Sequence, residues 1–503
     1  MQIKNKTLTT ILPIYKDISL LNKMLAVLGW DQNVNLPAKA AQGRADQIAY
    51  LTQLLTEKWL DPVMQKSIQS IKESSADSVE EKAIIRNLQY ASQYYYKVPK
   101  NIIIKKSKVT SEAFMAWQNA RSENDFPLFQ PYLEQILELN KQISEHLGYD
   151  KNPYDAHLHL HEPGLTAAFC AETFGALRPK LTDLLTQIQA SPTYKLARKK
   201  KFSNDTYPQG YQKQLSEYVL HLMQFDFQAG RMDISAHPFT TTMDQYDVRI
   251  TTRYDEYDFR ECYTSAVHEG GHALYEQGIN PEYEYTPLEG GVSMGIHESQ
   301  SRFYENMVGR SPTFLKYLMT HFQKYFPKSS IASIDDLVLY LNEVNPGLIR
   351  TKADEVTYNL HIILRFEIEN DLLNNKIKVK DLPEIWNAHM NTFLGVEPET
   401  NRDGVLQDVH WSYGEFGYFP TYSLGNLYSA QIAATLRKDV DIDSQLQTGD
   451  LTPIHNWLKE RIYTHGSLYW PDELITRVSG EKLNPEYFIR YLKEKYTRLY
   501  NLA

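Results

Sequence analysis

The stretch VHEGGHALYEQG, residues 267–278, carries two histidines four positions apart. Positions i and i+4 of an α-helix lie one above the other on the same face. If this stretch is helical, the side chains of His268 and His272 therefore point in one direction. Two imidazoles at that spacing can chelate one metal ion.

The ends and the interior of the predicted helix carry further signals. Asp258 and Glu261 resemble a capping box, and Gly278 fits the position of a C-cap. Gly270 and Gly271 lie inside the helix, where each glycine costs about 1 kcal/mol relative to alanine. Two glycines in one turn indicate close approach by a neighbouring helix or by a substrate.

Residues 268–272 read His-Glu-Gly-Gly-His, which is the H-E-x-x-H arrangement of zinc hydrolases. Glu269 follows His268 directly and points roughly 100° round the helix. From there its carboxylate can reach a water molecule at the site and act as a general base without being a ligand. Because the pattern is short, the alternative is a pair of hydrogen-bonded core histidines.

A third ligand is needed, because catalytic zinc usually takes three protein ligands and keeps a fourth position for water. Glu298 lies downstream in GIHESQSRFYEN, residues 295–306, which reads as a second helix. Arg302 and Glu305 follow on the same face, and Glu305 could orient a histidine ligand. The alternative for Glu298 is a glutamate that faces solvent.

The rest of the chain is dominated by a helical period of apolar residues. This period is clearest in DQIAYLTQLLTEKW (46–59), ETFGALRPKLTDLLTQI (172–188) and YQKQLSEYVLHLM (211–223). Strand-like alternation is scarce, and the best candidate is DVRITTRY (247–254), with FTTTM just before it. We therefore expect a mainly α protein, one large helical domain over residues 1–503, with a small β element near residues 238–254 and room for a cleft between two helical halves.

Composition and charge exclude several classes of protein. The chain has 503 residues, of which 42% are hydrophobic, and a net charge of -9, which argues against a nucleic-acid partner. Two cysteines indicate a reducing compartment, so a cytoplasmic location is expected. The first residues lack the pattern of a signal peptide, and no apolar run is long enough to span a membrane.

Five spaced segments resemble the carboxypeptidase Taq family of metallocarboxypeptidases. They are DVRIT (247–251), HEGGH (268–272), HESQ (297–300), IRTKAD (349–354) and GVLQDVHW (404–411), in the family's order. Flanking stretches also resemble the family: WDQNVNLP (30–37), GRMDISAHPFT (230–240) and GYFPTYSLGN (417–426). The likeness runs from about residue 30 to the C-terminus.

The resemblance implies a nearly all-helical fold with a deep central groove, usually in a homodimer. It implies removal of single residues from the free C-termini of peptides, with broad side-chain tolerance and poor cleavage at proline. One zinc ion per subunit is expected, and cobalt often supports activity in the family. His268, His272 and Glu298 would hold this metal, and Glu269 would move the protons.

Peptide hydrolysis also needs groups that bind the substrate and its oxyanion. Tyr422, ahead of Tyr418, is the candidate donor to the oxyanion, and the alternative is that both tyrosines are packed aromatics. Arg350 in IRTKAD is the candidate for the terminal carboxylate, because a guanidinium binds carboxylates through two parallel hydrogen bonds. Asp354 four residues on leaves open an ion pair along a helix face instead.

Two further residues are substrate-binding candidates, and His237 is a third catalytic candidate beside Glu269 and Tyr422. Arg249 and His410 would lie at the blind end of the groove and limit substrate length, paired with Asp247 and Asp408. His237 would donate to the substrate backbone near the metal, and its alternative is a turn histidine before proline.

Two other functions compete with a metallocarboxypeptidase. One is a zinc oligo-endopeptidase of related helical architecture, which would need no fixed cation for a terminal carboxylate. The other is a binding protein that retains a metal site without catalysis, and the intact Glu269 counts against it.

Overall fold

The computed structural model describes residues 1–198 and 205–502. Helices dominate these residues, as predicted, and three short strands form one sheet. The α-helices are α1 (Lys6–Val34), α2 (Ala41–Trp59), α3 (Pro62–Ser70), α4 (Val79–Lys97), α5 (Lys100–Glu123), α6 (Phe126–Leu147), α7 (Tyr154–His161), α8 (Ala167–Ala190), α9 (Pro192–Ala197), α10 (Gln209–Leu222), α11 (Arg260–Gln277), α12 (Met294–Arg302), α13 (Pro312–Tyr325), α14 (Ile334–Leu341), α15 (Tyr358–Leu373), α16 (Leu382–Leu394), α17 (Phe419–Asp439), α18 (Ile442–Thr448), α19 (Thr452–Arg461), α20 (Pro471–Ser479) and α21 (Glu486–Tyr500). The strands are β1 (Gly230–Ile234), β2 (Thr240–Asp244) and β3 (Asp247–Thr252).

Shorter helical turns connect these elements. The 3-10 turns are Ala38–Ala40, Glu73–Ser75, Pro281–Tyr283, Arg350–Lys352, Val379–Asp381, His410–Tyr413 and Tyr463–His465, and Phe303–Gly309 is a π-helical segment. The three stretches with the strongest helical period lie in α2, α8 and α10, which confirms the helix predictions for them. In the part of the chain that the structure describes, no helix combines the length and the hydropathy that a bilayer crossing requires.

The chain forms two compact units, each built from three separate segments. The first comprises the described residues of Met1–Tyr96, Lys201–Leu341 and Tyr428–Leu483, and the second those of Lys97–Lys200, Asn342–Leu427 and Asn484–Ala503. The first unit contains the sheet and helix α11. The second contains α15, which is buried on nearly every face and carries Arg365 and Glu369 at 0% exposure.

The sheet has the order β1-β3-β2. β2 and β3 fall in the predicted β element near residues 238–254, and they pair antiparallel with an irregular register between Thr242 and Asp244. β1 pairs parallel with β3, so that Gly230 lies opposite Val248. The sequence prediction missed β1, because its five residues show no alternation of buried and exposed positions.

Helix α11 confirms the predicted helix around the histidine pair, but the predicted capping box is wrong. Phe259 is the N-cap and makes no side-chain cap. The carboxylate of Asp258 accepts the backbone N–H of Arg260 at 2.9 Å and the guanidinium of the same residue at 2.7 Å. Glu261 instead pairs with Arg253 at 3.5 Å. Arg260, two residues on, thus binds the Asp258 carboxylate that a capping box would have used.

The glycines of α11 confirm the predicted close approach, and its cause is neighbouring helices. A Cβ atom on Gly270 would lie 2.5 Å from Cδ2 of Leu220 in α10. A Cβ atom on Gly271 would lie 2.6 Å from the carbonyl oxygen of Gln300 in α12. Gly278 is the C-cap, as predicted, and a Cβ atom there would lie 2.6 Å from Cβ of Tyr463.

Candidate metal centre

Helices α11 and α12 of the first unit bring the three predicted metal ligands together. Nε2 of His268 lies 3.6 Å from Oε2 of Glu298, and Nε2 of His272 lies 3.3 Å from the same oxygen. One ligand atom from each residue can be chosen so that all three lie within 4.8 Å of one another. Among the described residues this is the one group of histidine, cysteine and acidic side chains with that spacing. The contact at Gly271 allows α12 to approach α11 closely enough for this.

A second layer of side chains holds the ligands. Nδ1 of His268 lies 2.9 Å from Oε2 of Glu305, which is on the π-helical segment after α12. Arg302 donates to Glu298 at 2.6 Å and to Glu305 at 3.1 Å, and Arg310 donates to Glu305 at 2.7 Å. With Nδ1 of His268 engaged behind it, Nε2 is left for a metal.

The electrostatics of these groups suit a cation site. Burial opposes ionisation of Glu298, but Arg302 and the histidines outweigh burial and hold its pKa well below the usual range. Glu305 shows the same balance, with Arg310 and Arg302 keeping its pKa low. Burial lowers the pKa of His272 to about 4, so this imidazole is neutral, as a ligand must be. Burial opposes protonation of His268, but Glu298 and Glu305 outweigh burial and raise its pKa, so this imidazole must give up a proton when a metal binds. Two imidazole nitrogens and one carboxylate fit a divalent metal of the zinc type.

Glu269 is buried beside this group but is not part of the ligand set. Its Oε2 atom accepts a hydrogen bond of 2.6 Å from the hydroxyl of Thr240 on β2. Burial raises the pKa of Glu269, although His268 and Thr240 act in the opposite direction. A carboxylate with a raised pKa beside a metal site can take up a proton and release it again. Sequence reasoning missed Thr240, although it belongs to the threonine run next to the predicted strand.

A third histidine, His297, contacts His272 on the side away from Glu298, and the sequence analysis did not identify it. The two Nδ1 atoms are 2.6 Å apart. Nε2 of His297 lies 2.8 Å from Oε1 of Glu276, one turn after His272 on α11. The signal in the sequence was the histidine directly before Glu298 in HESQ.

The first unit also holds His237, predicted to be catalytic, and Arg249, predicted to bind substrate. His237 is exposed in the bend between β1 and β2, and its carbonyl oxygen accepts a 2.6 Å hydrogen bond from the hydroxyl of Ser235. Arg249 on β3 pairs with Asp247 through two hydrogen bonds of 2.7 Å, which confirms the predicted pair. Its guanidinium lies 4.5 Å from the ring centroid of Trp30.

In the second unit, Arg350 is buried and engaged with an acidic residue. Its Nε and Nη2 atoms donate to Oδ1 of Asp408 at 3.0 and 2.9 Å, and Nη1 lies 3.2 Å from the hydroxyl of Tyr358. Arg365 donates to the other carboxylate oxygen of Asp408 at 2.7 Å. One carboxylate therefore orients two buried guanidinium groups.

The alternative of a helix-face ion pair between Arg350 and Asp354 is wrong. Residues Arg350–Lys352 form a short 3-10 turn and Ala353 is extended, so the chain has no α-helical i+4 spacing there. Asp354 accepts the backbone N–H groups of Val356 and Thr357 at 3.0 and 3.1 Å. It thus fixes the chain just before α15.

His410 and the two candidate tyrosines form an aromatic cluster in the second unit. Nδ1 of His410 is 4.0 Å from Asp408, beyond hydrogen-bond distance, because the two arginines occupy that carboxylate. The His410 ring is 5.4 Å from Tyr418, and the rings of Tyr418 and Tyr422 are 5.3 Å apart, edge to face. The guanidinium of Arg350 lies 5.0 Å from the ring centroid of Tyr422. Both tyrosines are half-buried, so a packed aromatic and a hydroxyl donor remain compatible with their positions.

Known proteins are similar to this chain over nearly its whole length. A model of the carboxypeptidase Taq (M32) metallopeptidase family matches residues 10–496. Thermostable carboxypeptidase 1 of Pyrococcus furiosus is 40% identical over 497 residues, which is 98% of this chain and 99% of that protein. Carboxypeptidase 1 of Bacillus subtilis is 39% identical over 496 residues, covering 97% of this chain and 98% of the relative.

Solved structures agree with the sequence comparisons. The Pyrococcus furiosus carboxypeptidase superimposes with a TM-score of 0.92 at 39% identity, covering 98% of this chain and 99% of that one. The M32 carboxypeptidase from Deinococcus radiodurans R1 superimposes with a TM-score of 0.94 at 34% identity, covering 99% of this chain and 100% of that one. These likenesses confirm the helical fold with a small sheet and make the protein a metallocarboxypeptidase that acts on peptides. The chain belongs to the carboxypeptidase Taq (M32) metallopeptidase family.

Proposed function

We propose that this metallocarboxypeptidase removes single residues from peptide C-termini at a zinc centre formed by His268, His272 and Glu298. The observation that carries the proposal is the convergence of two Nε2 atoms on Oε2 of Glu298, at 3.6 and 3.3 Å. Zinc is favoured because two imidazoles and one carboxylate are a common catalytic zinc set, and cobalt is expected to substitute. Such a cation supplies Lewis acidity, which polarises the scissile carbonyl and lowers the pKa of water.

Glu269 is proposed as the group that moves protons. Its carboxylate would accept a proton from the attacking water and then deliver it to the leaving amine. Two features support this role: burial raises the pKa of Glu269, and the hydroxyl of Thr240 fixes one of its oxygens at 2.6 Å. The second oxygen is then left for the water.

Arg350 is proposed to bind the terminal carboxylate of the peptide. Asp408 holds Nε and Nη2 of its guanidinium, so the planar group is oriented before substrate arrives. Tyr422, ahead of Tyr418, is proposed as the donor to the oxyanion, and His237 as a donor to the substrate backbone. Arg249 and His410 are proposed to limit substrate length.

Several further properties are proposed on the resemblance to the family. They are broad tolerance for the terminal side chain, poor cleavage at proline, a homodimer and a cytoplasmic location. The peptides that would serve as substrates carry a free C-terminus.

The direct test compares N-benzyloxycarbonyl-Ala-Ala with its C-terminal amide. Purified protein is incubated with each peptide in the presence of zinc, cobalt or a chelator, and released alanine or alanine amide is counted. Release from the free acid alone, abolished by the chelator, is the expected result. Equal cleavage of acid and amide, or cuts only inside longer peptides, would move the assignment to an oligo-endopeptidase. No cleavage of either peptide by metal-loaded protein would overturn the proposed activity.

The role of Arg350 has its own test. Arg350→Ala should raise KM for the free-acid peptide by about 100-fold, since a lost bond to a charged partner costs about 3 kcal/mol. The matched control is Arg437→Ala, because Arg437 is a half-exposed arginine that pairs with Asp443 at 3.2 Å. If KM is unchanged in Arg350→Ala while it remains folded, another group reads the carboxylate.

A further inference from the structure

His272 is backed by a chain of two polar side chains rather than by one. Its Nδ1 atom lies 2.6 Å from Nδ1 of His297, and Nε2 of His297 lies 2.8 Å from Oε1 of Glu276. The same Glu276 oxygen accepts the backbone N–H of Gly291 at 3.0 Å. These three side chains form a continuous path from a buried carboxylate to the candidate metal ligand.

When Nε2 of His272 binds a metal and both imidazoles are neutral, this path allows one arrangement of protons. An ionised Glu276 accepts only, so Nε2 of His297 must carry the proton that it donates. In a neutral imidazole the other nitrogen is then an acceptor, so Nδ1 of His297 accepts from Nδ1–H of His272. The lone pair of His272 is thereby placed on Nε2, which is the atom that lies 3.3 Å from Glu298.

Packing holds the His297 ring in the orientation that this path needs. Gly291 faces the ring without a side chain, and a Cβ atom there would lie 2.6 Å from Cδ2 of His297. The ring of Tyr275 lies 5.2 Å from His297, and its hydroxyl accepts the backbone N–H of Val292 at 3.2 Å. A 180° flip of the imidazole would replace Nδ1 and Nε2 by carbon atoms and break both hydrogen bonds.

The other histidine ligand is held differently. Nδ1 of His268 reaches the carboxylate of Glu305 directly, at 2.9 Å, and Arg302 and Arg310 both bind that carboxylate. Glu276 instead accepts from His297, from the backbone N–H of Gly291 and from the side chain of Thr242. His268 therefore contacts a carboxylate directly, whereas His272 reaches one only through the imidazole of His297.

We propose that His297 and Glu276 are positioning residues that fix the tautomer and the ring orientation of His272, so that its Nε2 atom is presented to the metal. The inference rests on the proposed function, in which His272 is a ligand. It extends that function from the ligands to the residues that prepare one of them. Loss of such partners typically weakens metal binding by 10-fold to 100-fold.

The first test measures proton positions in the wild-type protein loaded with zinc. Nitrogen NMR of histidine-labelled protein, assigned with His272→Ala and His297→Phe, reports which ring nitrogen carries hydrogen. The expected result is hydrogen on Nδ1 of His272 and on Nε2 of His297. Hydrogen on Nε2 of His272, or on Nδ1 of His297, would overturn the proposal.

The second test measures cobalt affinity by competition with a chelator. His297→Phe, which removes both ring nitrogens, should raise Kd by about 10-fold to 100-fold. His297→Asn, whose amide oxygen can accept from His272, should recover most of the affinity. His146→Phe is the matched control, because His146 is exposed on α6 and is remote in sequence from the centre.

Glu276→Gln keeps the His297 ring and weakens only the hydrogen bond that Nε2 of His297 donates to residue 276. This variant replaces His297→Phe in the test if His297→Phe does not fold. It should raise Kd by a smaller factor than His297→Phe. The proposal is overturned if Glu276→Gln, His297→Asn and any folded His297→Phe all bind cobalt with wild-type affinity while His272→Ala loses binding. That result would leave the proposed metal centre intact. Wild-type affinity in His272→Ala would instead overturn the metal centre itself.

Discussion

The hydroxyl of Thr240 donates a hydrogen bond of 2.6 Å to Oε2 of Glu269 and also lies 3.1 Å from the carbonyl oxygen of the same residue. A strand residue thus fixes both the side chain and the backbone of the proposed proton carrier on α11. One carboxylate oxygen is held, and the other is left for chemistry.

Removing this hydroxyl should slow turnover without removing the metal. Thr240→Val should lower kcat by about tenfold, because a hydrogen bond to a charged group contributes about 1.5 kcal/mol or more. Thr240→Ser should restore most of the rate. The control is Thr241→Val, because neighbouring strand residues point to opposite faces of the sheet. Equal rates for Thr240→Val and wild type at equal metal content would exclude a positioning role for Thr240.

The contact between α11 and α12 should not tolerate a methyl group. Gly271→Ala would place Cβ 2.6 Å from the carbonyl oxygen of Gln300, so α12 and its ligand Glu298 must shift. We expect a loss of roughly 1–3 kcal/mol in the free energy of unfolding and weaker metal binding. Chemical denaturation and chelator competition measure the two effects.

At Gly175 we expect the opposite effect of an alanine substitution on the free energy of unfolding. Gly175 lies inside α8, and a Cβ atom there would meet nothing within 4 Å. Gly175→Ala should therefore stabilise the fold by about 0.5–1 kcal/mol through helix propensity alone. Stabilisation by both substitutions would contradict the close packing described at Gly271.

Glu369 should make the stability of the fold depend on pH. This fully buried carboxylate accepts from Tyr154 at 2.5 Å, Trp411 at 2.8 Å and the backbone of Gly417 at 2.9 Å. Burial, partly offset by these donors, raises its pKa to about 7 from 4.5. The folded state therefore binds more protons than the unfolded state between these two values, and stability falls as pH rises through that window.

The predicted size of the effect is about 3 kcal/mol, and it is complete above pH 7. Unfolding by denaturant from pH 4.5 to 8 would measure it in the wild type and in Glu369→Gln. The difference in unfolding free energy between the two proteins should shift by this amount, in favour of the variant at high pH. A difference that is constant across the window would show that Glu369 is already ionised at low pH.

The part of the site that was predictable from sequence is the part that lies within single helices. The spacing of His268 and His272 and the position of Glu269 follow from helical geometry, and so does the spacing of Glu298 and Arg302 on α12. The strong apolar period likewise predicted α2, α8 and α10. The resemblance of five segments to one family then related α11 to α12.

The residues that sequence reasoning missed are joined by contacts between distant elements. Thr240 meets Glu269 only because β2 packs beside α11, and His297 meets His272 only because Gly271 lets α12 approach. No local pattern encodes such contacts. The predicted capping box at Asp258 is wrong because the guanidinium of Arg260 binds the Asp258 carboxylate. Here a local sequence pattern was present, but a side-chain contact outweighed it.

The sequence predicted only part of the arrangement in which Arg350 and Arg365 both bind Asp408. The sequence indicated Arg350 and Asp408 as site residues but assigned Asp408 to His410. Arg365, which claims the second oxygen of Asp408 at 2.7 Å, lies on α15 and gave no motif of its own. A fully buried arginine is recognised only once its partner is known, since an unpaired charge could not remain there.

The central claim is that Glu269 performs the proton transfers at a centre held by His268, His272 and Glu298. The most direct measurement is the kcat of Glu269→Gln on N-benzyloxycarbonyl-Ala-Ala, together with its metal content. We expect one metal equivalent per chain and a fall in kcat of about 10³-fold. Glu261→Gln, a half-exposed glutamate on the same helix, should leave both unchanged. A Glu269→Gln variant that binds metal and turns over at the wild-type rate would contradict the account.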